Sequence, residues 1–353
     1  MSQYIRFQLN KKDEARSNCI GLICTASVAL AGIFMAQNDI AQHWGLSALT
    51  IAIALGIVIG NTVYPHISHA CGAGVGIAKQ QLLRTGIVLY GLRITFQQIA
   101  GVGVTAILTD LLVLSSTFLL AYWLGTRIFK LDRDSVLLIG AGSSICGAAA
   151  VMATEPVVQA QASKVSIAVA TVVVFGTAGM FLYPMFYHLG TTLLPIFKNQ
   201  NSYGVYVGST IHEVAQVFAA GQAIGPKAAD TAVIVKMIRV MMLAPFLLIL
   251  SGWLRFNSVK GSAQSRKITI PWFAVFFIVM AGINSLQWLP STLTQSLIVL
   301  DNFLLAMAMA ALGLTTHLGG VRAAGLKPLM LGGILFIYLI FGGGCINWLV
   351  AIF

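Results

Sequence analysis

Apolar stretches, each long enough to cross roughly 30 Å of hydrocarbon, follow one another along this chain, about eleven in all. They lie near residues 19–36, 46–62, 79–99, 103–125, 135–154, 165–188, 203–221, 230–254, 270–288, 293–317 and 328–350. Lipid offers a backbone no hydrogen-bond partner, so segments of this kind cross as helices, which satisfy their own N–H and C=O groups. With 58% hydrophobic and 9% charged residues among 353, no soluble fold could hide the apolar surface. The expectation is an all-α polytopic membrane protein, a single integral membrane domain over residues 1–353. The longest loops, around 255–269 and 66–78, are linker-sized and leave no room for a second domain.

The net charge of +11 raises the question of a polyanion partner, and the placement of the cations answers it. If the N-terminus, with Arg6, Lys11, Lys12 and Arg16, is cytoplasmic, then Lys79, Arg127, Lys130, Arg133, Lys198, Arg255, Lys260, Arg266, Lys267, Arg322 and Lys327 fall on the same side. Lys164 and Lys227 fall on the other. This is the positive-inside pattern, so the basic balance reports topology and no nucleic-acid partner. The N-terminus is expected in the cytoplasm and the C-terminus outside it. The first apolar segment leads into further spans without a small-x-small cleavage site and is read as retained. The five cysteines form no C-x-x-C pair, and no disulfide framework is expected.

Two phrases within the apolar stretches are nearly the same: Gly142-Ser143-Ser144-Ile145-Cys146-Gly147 and Gly208-Ser209-Thr210-Ile211-His212-Glu213. Glycine followed by hydroxyls at membrane depth fits a helix that starts or breaks inside the bilayer, where free N–H groups face a buried polar site. Ser143, Ser144, Cys146 and Thr210 then line an oxyanion site; close packing of helices through small residues explains the same residues. His212, Glu213 and Gln216 share a helix face and read as a proton-titrating element or as a structural polar contact. A zinc protease would need His-Glu-x-x-His, and here the second histidine is Gln216.

Arg93, Lys236 and Arg239 fall inside apolar stretches, where a cation costs roughly 2.5–3.5 kcal/mol at a helix centre. Lys236 and Arg239, three apart, point to one helix face. They bind an anion, or they pair with Glu213, Asp110 or Asp301 as structural partners. His66-x-x-His69-x-Cys71 has loose metal spacing in a loop and no fourth ligand, so no metal is expected. Gly56-x-x-x-Gly60 reads as helix packing. Gly91-Leu92-Arg93-Ile94-Thr95-Phe96 and Gly313-Leu314-Thr315-Thr316-His317-Leu318 form a second similar pair, giving the order A, B, B, A along the chain. Hydropathy permits two inverted groups of five spans after an extra first helix.

Gly140-Ala141-Gly142-Ser143-Ser144-Ile145-Cys146-Gly147-Ala148, Gly208-Ser209-Thr210-Ile211-His212-Glu213 and Lys236-Met237-Ile238-Arg239-Val240 resemble signature segments of the YeiH family of bacterial inner-membrane proteins, which carries the label sulfate exporter. The resemblance runs over essentially the whole chain. It implies kinship with the bile acid/sodium symporter and cation/proton antiporter superfamily. It also implies two inverted five-helix repeats, crossing broken helices, and a core domain that moves against a panel domain. Glu213 stands where that family leads one to expect aspartate.

The expected function is secondary active transport, as an exporter, of a small inorganic or organic anion such as sulfate, sulfite or an organosulfonate, by alternating access. Lys236, Arg239 and Arg93 supply positive charge, and Ser143, Ser144, Cys146 and Thr210 orient the substrate. His212, Glu213 and Gln216 couple transport to protons or sodium. No Gly-x-x-x-x-Gly-Lys-Ser/Thr loop occurs, and no cofactor is expected. A cation/proton antiporter carrying its ion on Glu213 and Asp110 stays open, as does a membrane enzyme or assembly subunit without transport. An enzyme would need a nucleophile and base constellation absent from the chain. Oligomeric state is not legible.

Overall fold

The structure is a computed structural model and describes residues 2–38, 48–190, 199–256, 272–316 and 325–352. All regular elements among the described residues are helical. In chain order they are α1 (Ser2–Ala36), α2 (Ala48–Thr62), α3 (Tyr64–Ile77), α4 (Leu83–Tyr90), α5 (Phe96–Trp123), α6 (Arg133–Ser144), α7 (Ala148–Val158) and α8 (Ala162–Gly190). There follow α9 (Gln200–Thr210), α10 (Val214–Ile224), α11 (Pro226–Met241), α12 (Leu243–Phe256), α13 (Trp272–Ser285), α14 (Ser291–Leu314) and α15 (Leu326–Ile352). Among the described residues six stretches, within 15–36, 96–128, 163–189, 226–254, 291–314 and 326–352, are long and apolar enough to cross a bilayer.

The chain builds two compact units, each from two separate stretches. The first comprises Met1–Thr95 and Val275–Leu318. Here small residues bring helix backbones together: a methyl on Gly56 or Gly60 would strike α14 carbonyls at 2.5 and 2.6 Å, so Gly56-x-x-x-Gly60 is a packing seam. Gly74 on α3 packs in the same way against Asn18 and Gly21 of α1.

Two expectations are corrected in this unit. The stretch 66–78 is not a loop but α3, which packs Tyr64, Cys71 and Val75 against Ala311 and Leu314. His66 and His69 are exposed while Cys71 is buried, so the loose metal pattern is split between two faces of one helix. Nor is 79–99 a single helix: a π-helical turn (Ala78–Leu82), α4, a 3-10 turn (Gly91–Arg93) and extended Ile94 divide it. Arg93 closes that turn and donates to Asp301 at 2.8 Å, Asn302 at 2.7 Å and Ile298 O at 3.2 Å.

The second unit comprises Phe96–Ala274 and Gly319–Phe353. Its core joins α5, α6, α7, α8 and α15 through Ala121, Leu138, Val151, Val172, Leu331 and Leu335. The segments 135–154 and 203–221, counted among the apolar stretches and expected to break within the bilayer, fold back on themselves. In one continuous helix Gly142 and Val151 would stand about 13 Å apart, yet a methyl on Gly142 would meet Val151 Cγ2 at 2.7 Å. The flanks of this hairpin meet, because Lys164 at the start of α8 pairs with Asp132 just ahead of α6 at 2.6 Å and with Asp134 in the first turn of α6 at 3.0 Å. Lys164 therefore lies on the side of Lys130 and Arg133, not opposite them. The α9–α10 hairpin shows the same closure: a methyl on Gly225 would meet the Gln200 side chain, and Gly204 of α9 and Gly221 of α10 both pack against the first turns of α11. Residues 257–271, Lys198, His317 and Arg322 lie outside the described residues.

Candidate functional site

Both hairpins turn at the two similar phrases, the first through a glycine in a conformation that a Cβ disfavours and the second through extended backbone. Helix α6 ends at Ser144, Ile145 takes φ −118 and ψ −87, and Gly147 takes φ 67 and ψ −133, a region that a Cβ disfavours. At the other tip, α9 ends at Thr210, Ile211 is extended, and α10 begins after Glu213. Each tip therefore presents the C-terminal carbonyls of one short helix and the N-terminal amides of another. The macrodipoles make the carbonyl side negative and the amide side positive.

Side chains of opposite sign meet these four ends. Lys236, fully buried on α11, donates to Ile145 O at 2.8 Å and Ile211 O at 2.6 Å, joining one carbonyl from each tip. Arg239, one turn further and also buried, donates through Nε to Ser144 O at 2.8 Å and through Nη1 to Ser209 O. On the amide side, Glu213 Oε1 accepts the Ala148 N–H at the start of α7 at 3.3 Å. Gln216 Oε1 accepts the Glu213 N–H at 3.1 Å, and its Nε2 lies 3.4 Å from Thr177 Oγ1. Cations thus sit at helix C-termini and the carboxylate at helix N-termini, each where the dipole favours it.

The structure brings Ser143, Ser144, Cys146, Thr210, His212, Glu213, Gln216, Lys236 and Arg239 to this junction. All but Glu213, which is half-buried, are buried. Arg93 belongs to the first unit and is held there by Asp301. Thr210 Oγ1 donates to Tyr206 O, and Ser144 Oγ lies 3.4 Å from Ala141 O. Ser143 Oγ, His212 Nδ1 and Arg239 Nη2 are buried without a hydrogen-bond partner among the described residues. Buried polar atoms are nearly always satisfied, so these three stand out as unspent hydrogen-bonding capacity.

One participant was not read from sequence, and another was read only as a partner of the cations or, in the antiport alternative, as an ion carrier. Asn347 on α15 donates to Ser209 Oγ at 3.0 Å and to Gly343 O at 2.8 Å. Its signal was present, as a lone amide in the apolar stretch 328–350. Asp110 on α5 is fully buried, and its Oδ1 lies 4.0 Å from Arg239 Nε. The sequence raised Asp110 as a partner for the cations, together with Glu213 and Asp301, and only proximity separates the three.

The chain matches the family model described as Conserved hypothetical protein 698 over residues 20–332. It is 58% identical to UPF0324 inner membrane protein YeiH of Escherichia coli strain K12, over 94% of this chain and 93% of that one. Identity is 57% to a UPF0324 membrane protein of Yersinia pestis, over 94% and 92% of the two chains, and 59% to one of Pseudomonas aeruginosa, over 92% of each. No solved structure matches the chain significantly. The chain belongs to the UPF0324 (YeiH) family of membrane proteins.

Proposed function

We propose that the chain is a secondary transporter of a small anion such as sulfate, sulfite or an organosulfonate, working by alternating access from a bacterial inner membrane. The observation that carries this reading is the junction of two re-entrant hairpins: four short-helix ends, two buried cations and three unpartnered polar atoms gathered in an apolar core. Non-helical backbone at membrane depth is tolerated where it is enclosed by protein or lines a cavity, and such breaks are the usual place of a transport site. Arg239 Nη2, Ser143 Oγ and His212 Nδ1 are the groups with capacity left for an oxyanion. Ser144, Cys146 and Thr210 shape the walls. Most of the hydrogen-bonding capacity of Lys236 is spent on carbonyls, so it holds the tips together and contributes field more than contact.

The two units are the parts of one transport domain. Each hairpin enters and leaves on the same side, so about nine of the eleven apolar segments cross. Nine is again odd, which keeps the N-terminus cytoplasmic and the C-terminus outside. Lys164 joins Arg127, Lys130 and Arg133 on the cytoplasmic side while Lys198 passes to the outer side with Lys227, so the balance of cations across the membrane is unchanged.

The test is uptake of radiolabelled sulfate, sulfite and taurine into proteoliposomes under imposed pH and sodium gradients, with Ser143→Ala as comparison. Gradient-driven accumulation of one anion, reduced in the variant, is expected. A second reading is cation/proton antiport, favoured by Asp110, whose carboxylate oxygens both lack hydrogen bonds. Proton flux driven by alkali cations and insensitive to all three anions would establish that reading and overturn the first.

A further inference from the structure

Glu213, the carboxylate that the sequence singles out for coupling, is engaged at the amide ends of α7 and α10. Asp110 is in a different position. It is 0% exposed, neither of its oxygens has a hydrogen bond, and its nearest cation stands 4.0 Å away with the Nε proton already given to Ser144 O. Arg239 Nη2 is likewise without a partner. An arginine and an aspartate at 4.0 Å, each with hydrogen-bonding capacity unspent, form an ion pair at the limit of contact that no hydrogen bond closes. Asp301 in the first unit shows the closed form, with Arg93 at 2.8 Å.

The surroundings isolate this pair. Of the helices packed on α5, α11 brings Lys236 and Arg239; α6 brings Arg133 and Asp134 in its first turn; α9 brings the phenols of Tyr203 and Tyr206; α15 brings Lys327, Tyr338 and Cys345; and Arg127 lies in the turn after α5. Among these, the guanidinium of Arg239 is the one within ion-pair distance of Asp110. A substrate anion drawn to the free Nη2 of Arg239 would come up against a like-charged carboxylate, unless that carboxylate takes a proton.

Resting on the anion-transport reading, we propose that Asp110 is the proton-carrying residue: ionised, it stands in for the substrate beside Arg239, and protonated, it yields Arg239 to the anion. The step balances as one proton added to one carboxylate oxygen for each anion bound, with Arg239 charged throughout. Proton and anion then load together, and Glu213 and Gln216 hold the hairpin tip in place while they do.

Linkage makes the consequence measurable, because an anion that binds with one proton loses affinity about tenfold per pH unit above the titration of that group. Purified protein in detergent is titrated with sulfate, sulfite and taurine in turn, in two buffers of different ionisation heat, so that calorimetry counts protons taken up per ligand, the protons that sulfite itself exchanges near neutral pH being subtracted. Wild type should take up about one, and Asp110→Asn should bind the anion with no uptake and no pH slope from this group. Asp110→Glu, which keeps a carboxyl, should retain uptake. An infrared difference spectrum on anion addition should show a carboxylic-acid band that Asp110→Asn removes. Anion binding to wild type without proton uptake, or with uptake unchanged in Asp110→Asn, overturns this assignment and leaves the transport reading standing. Absence of binding by all three anions overturns both.

Discussion

Replacing Lys236 by methionine separates a cation that holds the hairpins from one that grips substrate. The ammonium makes two buried hydrogen bonds, to Ile145 O at 2.8 Å and Ile211 O at 2.6 Å. Hydrogen bonds from a charged donor contribute about 1.5–3 kcal/mol each, so the gross loss is about 3–6 kcal/mol. Methionine fills similar volume, and removing a buried charge relieves part of its desolvation cost, which lowers the expected net loss to about 2–4 kcal/mol. That corresponds to a shift in the folded fraction of at least about 30-fold. Equilibrium unfolding of the purified variant in mixed micelles measures it. Ser143→Ala is the control, because Ser143 Oγ makes no hydrogen bond and should cost little stability while weakening anion binding. A Lys236→Met protein as stable as wild type within about 0.5 kcal/mol would refute the bridging role, since two unsatisfied buried carbonyls cannot be that cheap.

Gly176→Ala should act like a mutation of the site although it lies on α8, because its methyl would strike Gln216 Oε1 and displace the amide that caps Glu213; loss of anion binding with retained folding checks this. Gly147→Ala should destabilise the tip by roughly 1–3 kcal/mol, since the new Cβ meets φ 67 and the Glu213 side chain, and an unchanged unfolding midpoint would count against the turn geometry. A cysteine at Lys164 should be labelled by an impermeant reagent from the same membrane face as one at Lys130; labelling from opposite faces would mean that the α6–α7 segment crosses. Burial opposes ionisation of Asp132, but its bonds to Lys164 and to Ser135 N–H and Oγ outweigh burial and hold its carboxyl below the ordinary 3.8. The stability this contributes is present above that value and lost as pH falls through the lowered folded one. The site is half-exposed, so the effect should be small and weaken in salt; an acid transition that Asp132→Asn leaves unaltered would contradict it.

The amino-acid sequence by itself determined the solvent and the local grammar of this protein. A chain this apolar must satisfy its backbone in helices. Glycine followed by hydroxyls marked both places where helices break: Gly142 and Gly208 stand in the last turn of each helix before its break, and at the first tip Gly147 takes a conformation that other residues avoid. Lys236 and Arg239 were visible as cations in apolar stretches, and their three-residue spacing placed them on one face. Membership of the UPF0324 family was legible in the same phrases.

Where the broken segments go afterwards was not legible, since hydropathy measures length and polarity and a hairpin of two short helices scores like one long one. Contacts between residues far apart in the chain decided it: Lys164 with Asp132, and Gly225 with Gln200. Sequence also could not say what offsets the buried cations. Coulomb partners were sought among Glu213, Asp110 and Asp301, whereas four backbone carbonyls at two helix ends carry most of the load, and carbonyls are the same at every position of a sequence. Only the folding of two hairpins onto α11 gathers those ends within hydrogen-bond reach of one helix face and leaves Asp110 beside Arg239 with its oxygens unspent.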